Sequence, residues 1–320
     1  MSENCMYSVV VPVYNEEEVV AETYKRLKEV MDSLSEPYEI LFVNDGSRDK
    51  TVPIIKDICS RDSSIKLLDF SRNFGHQIAI TAGMDFTSGD AIIIIDADLQ
   101  DPPEVIPEMI KEWKNGYEVV YGKRIEREGE TPFKKITASV FYRFLNAMTD
   151  VDIPVDTGDF RLIDRNVCDA LKKVNERSRY VRGLISWLGF KQTSVEFKRE
   201  KRFAGITKYP LKKMIKFAFD AMASFSYKPL KMASYAGVFI SICSFIYLVV
   251  VLYQKLFTNL TVQGWASTLA VSLLFNGIVL MMLGIIGEYI GRIYDEAKGR
   301  PLYIVRDRVN IDDDRESGRL

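Results

Sequence analysis

The first 121 residues of the chain repeat one pattern, in which a short apolar run alternates with a segment of helical periodicity. The apolar runs predict strands at residues 8–13, 39–43, 65–70, 91–95 and 118–121. The segments between them predict helices at residues 16–34, 51–60, 78–86 and 104–115. Strands that alternate with helices are joined by right-handed crossovers. We therefore predict a Rossmann-like α/β domain with a mostly parallel sheet, covered by helices on both faces.

Polar clusters follow the first four predicted strands. They are Tyr14-Asn15-Glu16, Asn44-Asp45-Gly46-Ser47, Ser71-Arg72-Asn73-Phe74-Gly75 and Asp96-Ala97-Asp98. Open parallel sheets bind ligands beyond the carboxyl ends of their strands. We therefore expect the four clusters to form one crevice.

Two uncharged apolar runs, residues 232–253 and 265–287, change the character of the second half. Each has roughly the 20 residues that a helix needs to cross a bilayer. Residues 210–231 mix lysines with aromatic and aliphatic side chains, as in a helix that lies in the membrane interface. A pair of buried helices in a soluble domain is the alternative.

Basic residues flank the outer ends of the two runs, and only Lys255 lies between them. The positive-inside rule then places both termini and the first domain in the cytoplasm. We predict a cytoplasmic domain (1–209), amphipathic juxtamembrane helices (210–231), two transmembrane helices (232–290) and a cytoplasmic tail (291–320).

Composition limits the ligands that the chain can bind. The net charge of −1 argues against a nucleic-acid binder, which is normally basic. The single histidine and the four scattered cysteines have no zinc or redox spacing. Any bound metal would therefore be held by oxygen ligands, which favours Mg²⁺ or Mn²⁺.

Asp96 and Asp98 directly follow the fourth predicted strand. Continued strand alternation would put both carboxylates on one side. There they could hold a divalent ion that neutralises a diphosphate leaving group. The alternative is a cap for the helix that begins near Asp101.

Other polar residues have two interpretations each. Asp45 lies in an Asp-Gly turn and could also accept a hydrogen bond from a uracil N–H. Pro12 and Tyr14 could pack against the face of a base. Asn15 and Glu16 could equally cap the next helix.

Three further candidates are less specific. In residues 156–161, Asp159 is either a catalytic base or orienting group, or part of a turn paired with Arg161. Arg202 and Lys208 suit the phosphates of a donor or of a lipid head group, although nonspecific attraction to anionic lipid is the alternative. His76 is expected to be a packed helix residue more often than a catalyst.

These motifs together resemble glycosyltransferase family 2, which has the GT-A fold. Val11-Pro12-Val13-Tyr14-Asn15-Glu16, Val43-Asn44-Asp45-Gly46-Ser47 and Asp96-Ala97-Asp98-Leu99-Gln100 carry this resemblance. Residues 71–77, 156–161 and 182–187 extend it to the GtrB-type bactoprenol glucosyltransferases, relatives of dolichol-phosphate mannose synthase. The similarity spans roughly residues 6–305.

The resemblance implies transfer of a sugar, typically glucose, from a UDP-sugar to undecaprenyl phosphate, with inversion and with Mg²⁺ or Mn²⁺. It also implies a multi-pass protein of the bacterial inner membrane, in a homotetramer. By position, the nucleotide would be contacted by Pro12, Tyr14, Asn15, Glu16, Asp45 and Ser47. The metal would be surrounded by Asp96, Asp98 and Gln100, and the donor diphosphate held by Arg202 and Lys208.

The same resemblance assigns the acceptor phosphate to Arg124, Lys135 and Ser139. Relatives often carry arginine at position 135, and lysine cannot make the bidentate contact. Asp98, Asp159 and Arg124 are the implied catalytic residues.

The implied acceptor is a phosphate monoester with a second pKa of about 6, so it is largely a dianion at neutral pH. A strong general base is then unnecessary, and we expect Asp159 to position Arg161 or the acceptor.

The sugar could instead be N-acetylglucosamine, galactose or mannose. A processive synthase is disfavoured because the chain has no Gln-x-x-Arg-Trp motif, and a non-catalytic membrane scaffold is the remaining alternative.

Overall fold

The computed structural model describes residues 6–125, 157–177, 179–199, 228–257 and 264–311. Four predicted site residues lie outside the described residues: Lys135, Ser139, Arg202 and Lys208. The juxtamembrane prediction for residues 210–231 also falls almost wholly outside them. The chain forms two compact units, one of Met1–Arg143, Val151–Lys213 and Arg300–Leu320, the other of Phe144–Asp150 and Met214–Gly299.

The first unit contains a sheet of eight strands. They are β1 (Tyr7–Val13), β2 (Tyr38–Asn44), β3 (Ile65–Phe70), β4 (Ala91–Ile94), β5 (Val119–Arg124), β6 (Thr157–Asp164), β7 (Gln192–Phe197) and β8 (Val305–Val309). The helices among them are α1 (Val20–Ser33), α2 (Thr51–Arg61), α3 (His76–Phe86), the 3-10 helix Pro103–Val105, α4 (Ile106–Lys114), α5 (Arg165–Lys172) and α6 (Val181–Trp187).

The sheet order is β7-β5-β6-β4-β1-β2-β3-β8. The pairs β4–β1, β1–β2, β2–β3 and β5–β7 are parallel. The pairs of β6 with β4 and β5, and of β8 with β3, are antiparallel. The sheet is thus mixed and mostly parallel, with the carboxyl ends of β1 to β4 at one edge.

The central strands are mostly apolar because helices cover both faces of the sheet. All residues of β1 and β4 are buried. Helix α3 packs so closely on β1 that a Cβ at Gly83 would lie 2.2 Å from Val10 Cγ1. This contact fixes the start of α3 near the carboxyl ends of the strands.

The predicted elements of the first half are present, with shifted boundaries. Helix α1 begins at Val20 and not at residue 16, because Asn15 has a positive φ of 54° and the Glu16 N–H donates to Thr51 Oγ1 at 2.9 Å. No side-chain cap occurs at α1, so the capping interpretation of Asn15 and Glu16 is wrong. Helix α3 begins two residues earlier than predicted, after Gly75 with φ 106°.

Residues 291–320 contain structure that the sequence analysis had not identified. The last helix continues to Ala297, and β8 pairs with the edge strand β3.

The second unit contains two long helices, α7 (Lys228–Phe257) and α8 (Trp265–Ala297). Within the described residues, one segment, Leu274–Ala297, is long and apolar enough to cross a membrane. This criterion uses only length and composition, so it is weak support. Two transmembrane helices stay a prediction.

Candidate functional site

The four polar clusters meet at the carboxyl edge of β1 to β4, as expected. The Asn15 N–H donates to Ser47 Oγ at 2.9 Å, joining the first cluster to the second. The Phe74 N–H donates to Asp45 Oδ1 at 2.6 Å, joining the second to the third. At the start of α3, His76 Nε2 lies 3.4 Å from Asp96 Oδ1, joining the third to the fourth.

Asp45 holds the loop after β3. Its side chain is buried, and its two oxygens accept from the Phe74 and Gly75 N–H groups. Burial raises the pKa of Asp45, although the two N–H groups oppose this shift. Beside it, a Cβ on Gly46 would lie 2.5 Å from the backbone carbon of Arg72. The loops after β2 and β3 are therefore in direct backbone contact.

The other predicted nucleotide contacts are distributed around this loop pair. Pro12 is buried within β1, whereas Tyr14 is 40% exposed and faces solvent. The Asn15 side chain accepts from the Arg48 N–H at 2.8 Å and so ties the first loop to the second. Tyr14 is the one aromatic ring of this group available to a ligand.

Asp96 and Asp98 lie in the loop after β4. Strand β4 ends at Ile94 and the turn begins at Ala97. Strand alternation therefore does not extend to the two carboxylates, and their position on one side stays a prediction. The Thr23 hydroxyl of α1 holds the turn by donating to the Ala97 carbonyl at 2.8 Å.

The oxygens of this turn suit a divalent ion. Asp96 Oδ1 is buried and, among the described residues, has no hydrogen-bond partner. Burial raises the pKa of Asp96 to about 6, and neighbouring carboxylates, including Asp98, add to this effect. No group of three or more His, Cys, Asp or Glu side chains in the described part of the chain could hold a metal ion. Asp96 and Asp98 fit a site that substrate oxygens complete, as is usual for Mg²⁺ beside phosphates.

Gln100 and Asp101 bind arginines. Gln100 Oε1 accepts from Arg199 Nη2 at 2.7 Å. Both oxygens of the buried Asp101 accept from Arg124 Nη2, at 3.1 and 3.0 Å. The adjacent 3-10 helix has no side-chain cap, so the alternative in which Asp96 and Asp98 cap the helix near Asp101 is wrong.

Asp159 lies in β6, between β4 and β5, so its interpretation as part of a turn is wrong. Arg182 of α6 binds it through two bonds, Nε to Oδ1 at 2.7 Å and Nη2 to Oδ2 at 3.1 Å. His76 Nε2 lies 3.1 Å from Oδ2. Arg161 instead donates to the Gly158 carbonyl at 3.0 Å. The expectation that Asp159 positions Arg161 therefore has no direct contact to support it.

The pKa values of Asp159 and His76 are shifted by this arrangement. Burial alone would raise the pKa of Asp159, but Arg182 and His76 hold this pKa well below its usual range. Burial alone would lower the pKa of His76, but the Asp96 and Asp159 carboxylates raise it to about 9. Imidazolium His76 therefore lies between two carboxylates at neutral pH.

Residues 8–172 match the protein family described as glycosyl transferase family 2, and residues 228–293 match the GtrB C-terminal hairpin. The chain belongs to glycosyltransferase family 2. The predicted GT-A fold with a mostly parallel sheet is thereby confirmed.

Relatives of this glycosyltransferase match it over nearly their whole length. The uncharacterized glycosyltransferase YkcC of Bacillus subtilis (strain 168) is 62% identical over 315 residues, which cover 98% of each chain. The SfII prophage-derived bactoprenol glucosyl transferase of Shigella flexneri is 41% identical, over 93% of this chain and 97% of that one. The putative glycosyltransferase CsbB of Bacillus subtilis (strain 168) is 38% identical, over 94% and 92%.

The sequence analysis assigned no role to Asp101, Arg182 or Arg199, and it expected His76 to be a packed helix residue. All four contact residues of the candidate site. A signal for His76 was available, because it directly follows Gly75 in the polar cluster after β3. Arg182 and Arg199 reach the site from α6 and from the end of β7, elements that the sequence analysis did not predict. Their contacts could therefore not be inferred.

Proposed function

We propose that the protein transfers glucose from UDP-glucose to undecaprenyl phosphate, with inversion at the anomeric carbon. The observation that carries the proposal is the 41% identity to a bactoprenol glucosyl transferase across both the sheet domain and the helix pair. The same reaction with N-acetylglucosamine, galactose or mannose is the alternative, since a sugar pocket discriminates by shape and by few hydrogen bonds.

The donor nucleotide would lie against the loops after β1 and β2. Tyr14 offers an exposed ring to the base, and Pro12, Asn15, Glu16 and Ser47 shape the surrounding loop. Asp45 would accept from the uracil N–H with a lone pair that its backbone donors leave available.

Asp96 and Asp98 would hold Mg²⁺ or Mn²⁺, which when bound neutralises charge on the departing UDP. Gln100 would join them only if its amide oxygen left Arg199. Arg202 and Lys208 would contact the donor diphosphate.

The acceptor phosphate would bind near Arg124, together with Lys135 and Ser139. Arg124 is held by the buried Asp101, and its Nε is buried without a hydrogen-bond partner among the described residues. A phosphate oxygen would satisfy this donor.

Asp159 would orient the site and would not act as a base. Its carboxylate already binds Arg182 and lies beside His76, and its pKa is well below the usual range. The acceptor phosphate has a second pKa of about 6 and is already a nucleophile at neutral pH.

The acceptor's lipid tail requires the active site to face the cytoplasmic membrane surface. The chain leaves the sheet-containing unit after Lys213 and returns to it at Arg300. It can therefore cross a bilayer only an even number of times in between. If Leu274–Ala297 spans the membrane, a second span must precede it, which supports a multi-pass inner-membrane protein with a cytoplasmic sheet domain.

A donor panel tests the proposal. Membranes containing the protein receive undecaprenyl phosphate, Mg²⁺ or Mn²⁺ and one of several UDP-sugars, and lipid-linked product is scored. We expect product with UDP-glucose and none after Asp96→Ala or Asp98→Ala. Absence of product with every donor, or full activity of both variants, would contradict the proposal.

A further inference from the structure

The chain segment that follows the helix pair runs along the edge of the sheet, beside the loop that Asp45 holds. Strand β8 pairs antiparallel with β3, with Leu67 opposite Val309 and Asp69 opposite Asp307. The pairing becomes irregular between Asp69 and Phe70, where β3 ends. From that point the returning chain contacts the loop of residues 71–75.

Ser71, the first residue of that loop, is held by the returning chain through both of its backbone groups. Its N–H donates to the Ile304 carbonyl at 2.9 Å. Its carbonyl accepts from Arg306 Nη2 at 2.6 Å. The first peptide units of the loop are thus fixed by residues that lie more than two hundred positions later in the sequence.

Tyr303 adds an aromatic contact to the same loop. Its ring stacks on Phe70, with centroids 5.3 Å apart and planes within 14°. Phe70 in turn contacts Phe74 edge-on at 5.6 Å. The Tyr303 hydroxyl donates to Asp85 Oδ2 of α3 at 3.1 Å. Tyr303 therefore links the end of β3 to the helix that follows the loop.

The loop held in this way supplies the N–H groups of Phe74 and Gly75 to the Asp45 carboxylate. Because these N–H groups bind its carboxylate, the position of Asp45 depends on the loop. Asp45 is also the proposed partner of the uracil base. We infer that Tyr303 and Arg306 are positioning residues for the donor-nucleotide site, acting through residues 71–75. This inference rests on the proposed function for the identity of the ligand.

The test compares two disruptive variants with two controls in the full-length protein. Tyr303→Ala removes the stacked ring, and Arg306→Ala removes an exposed side chain that also lies 3.8 Å from Asp69 of β3. Tyr303→Phe keeps the stack and loses only the bond to Asp85. Asp307 lies on β8 beside Arg306, and Asp307→Asn breaks an ion pair with Lys56 of α2 and not with the loop of residues 71–75.

Calorimetry with UDP and Mn²⁺, steady-state kinetics with UDP-glucose and hydrogen exchange of the Phe74 and Gly75 amides are measured for each variant. We expect both alanine variants to weaken UDP binding by about three- to tenfold and to speed exchange of the two amides. The kcat at saturating donor should stay within about twofold of wild type. Tyr303→Phe and Asp307→Asn should match wild type in affinity and exchange.

Unchanged UDP affinity and unchanged exchange in both alanine variants overturn the inference. An equal loss of UDP affinity in Asp307→Asn also overturns the inference, because the effect would then come from β8 as a whole. If wild type does not bind UDP, the proposed function fails at its donor. Exchange of the two amides still decides whether Tyr303 and Arg306 position the loop.

Discussion

His76, Asp159 and Arg182 form a charged cluster between the loop after β4 and α6. His76 lies within 3.4 Å of carboxylates from two different strand ends, and Arg182 neutralises the second of them. Arg182 also donates to the Thr157 carbonyl at 2.9 Å. Each cation thus connects elements that are distant in sequence, and the buried carboxylate of Asp159 is compensated on both sides.

The ion pair of Asp159 with Arg182 should stabilise the folded domain. Asp159 is 6% exposed, and removing one partner of a buried pair destabilises by about 3 to 5 kcal/mol. We expect Arg182→Met to lower the free energy of unfolding by about 3 kcal/mol. Thermal or denaturant unfolding of the detergent-solubilised chain measures this.

A double-mutant cycle isolates the pair from general damage to α6. Asp159→Asn combined with Arg182→Met should be less destabilising than the sum of the single changes, by about 1 to 3 kcal/mol. Arg182→Lys is the matched control, since it keeps the charge and loses the two parallel bonds. Strict additivity of the two changes would show that the pair contributes nothing.

The pH dependence of transfer separates a base from an orienting residue at position 159. Arg182 and His76 keep the pKa of Asp159 well below its usual range, so Asp159 stays ionised from about pH 5 upward. Its titration therefore cannot change the transfer rate in that range. Turnover should rise with pH through about 6, the second pKa of the acceptor phosphate. Asp159→Asn should lower the plateau of the transfer rate by about tenfold, which is less than the roughly 10²–10⁴-fold contribution of a general base. The pH midpoint of the rise in rate should stay unchanged.

Rate profiles of wild type and Asp159→Asn between pH 5 and 9, at saturating acceptor, provide the measurement. Asp159 would be identified as the base if the rise in rate near pH 6 were lost in Asp159→Asn. A fall in turnover of several orders of magnitude at pH 8, with substrate binding intact, would identify it equally.

At the scale of elements, apolar strands were predictable and charged strands were not. Strand β4 was predicted to within one residue of its observed end because its apolar run is continuous. Strand β6 carries the buried Arg161 and also Asp159, whose burial depends on Arg182, a partner distant in sequence. Strand β8 reads Val-Arg-Asp-Arg-Val, a pattern of an exposed edge strand with little apolar content. The convergence of the first four polar clusters was predictable because it follows from parallel strand order alone.

The close approach of the loops after β2 and β3 can be tested at Gly46. Gly46 and Gly116 both have positive φ, 71° and 90°, so alanine brings similar backbone strain of about 1 kcal/mol at either site. Only at Gly46 does the new Cβ meet backbone, at 2.5 Å, whereas nothing lies within 4 Å at Gly116. We expect Gly46→Ala to destabilise by about 1 to 3 kcal/mol more than Gly116→Ala and to weaken UDP binding.

Unfolding and UDP titration of the two variants provide the comparison. Equal stability of Gly46→Ala and Gly116→Ala would mean that the two loops separate without cost, and the contact would then not fix Asp45.

At the scale of the whole molecule, the helix pair is an insertion into the sheet domain. Strands β7 and β8 belong to one sheet, and α7 and α8 lie between them in sequence. A helical segment inserted in this way must begin and end on one side of a membrane. Among the described residues, one apolar segment, Leu274–Ala297, meets the length criterion, and it implies a partner span within residues 214–273 if it crosses at all.

Site-directed labelling tests this topology. In a variant with all four native cysteines replaced, a single cysteine is placed at Asn259, between α7 and α8, or at Ser317, after β8. We expect a membrane-impermeant maleimide applied to intact cells, with the outer membrane made permeable, to label the cysteine at 259. The cysteine at 317 should react only after the inner membrane is opened, because the proposed topology returns the chain to the cytoplasm. Labelling of both from outside would reverse the orientation, and protection of both until lysis would mean that α7 and α8 do not cross the bilayer.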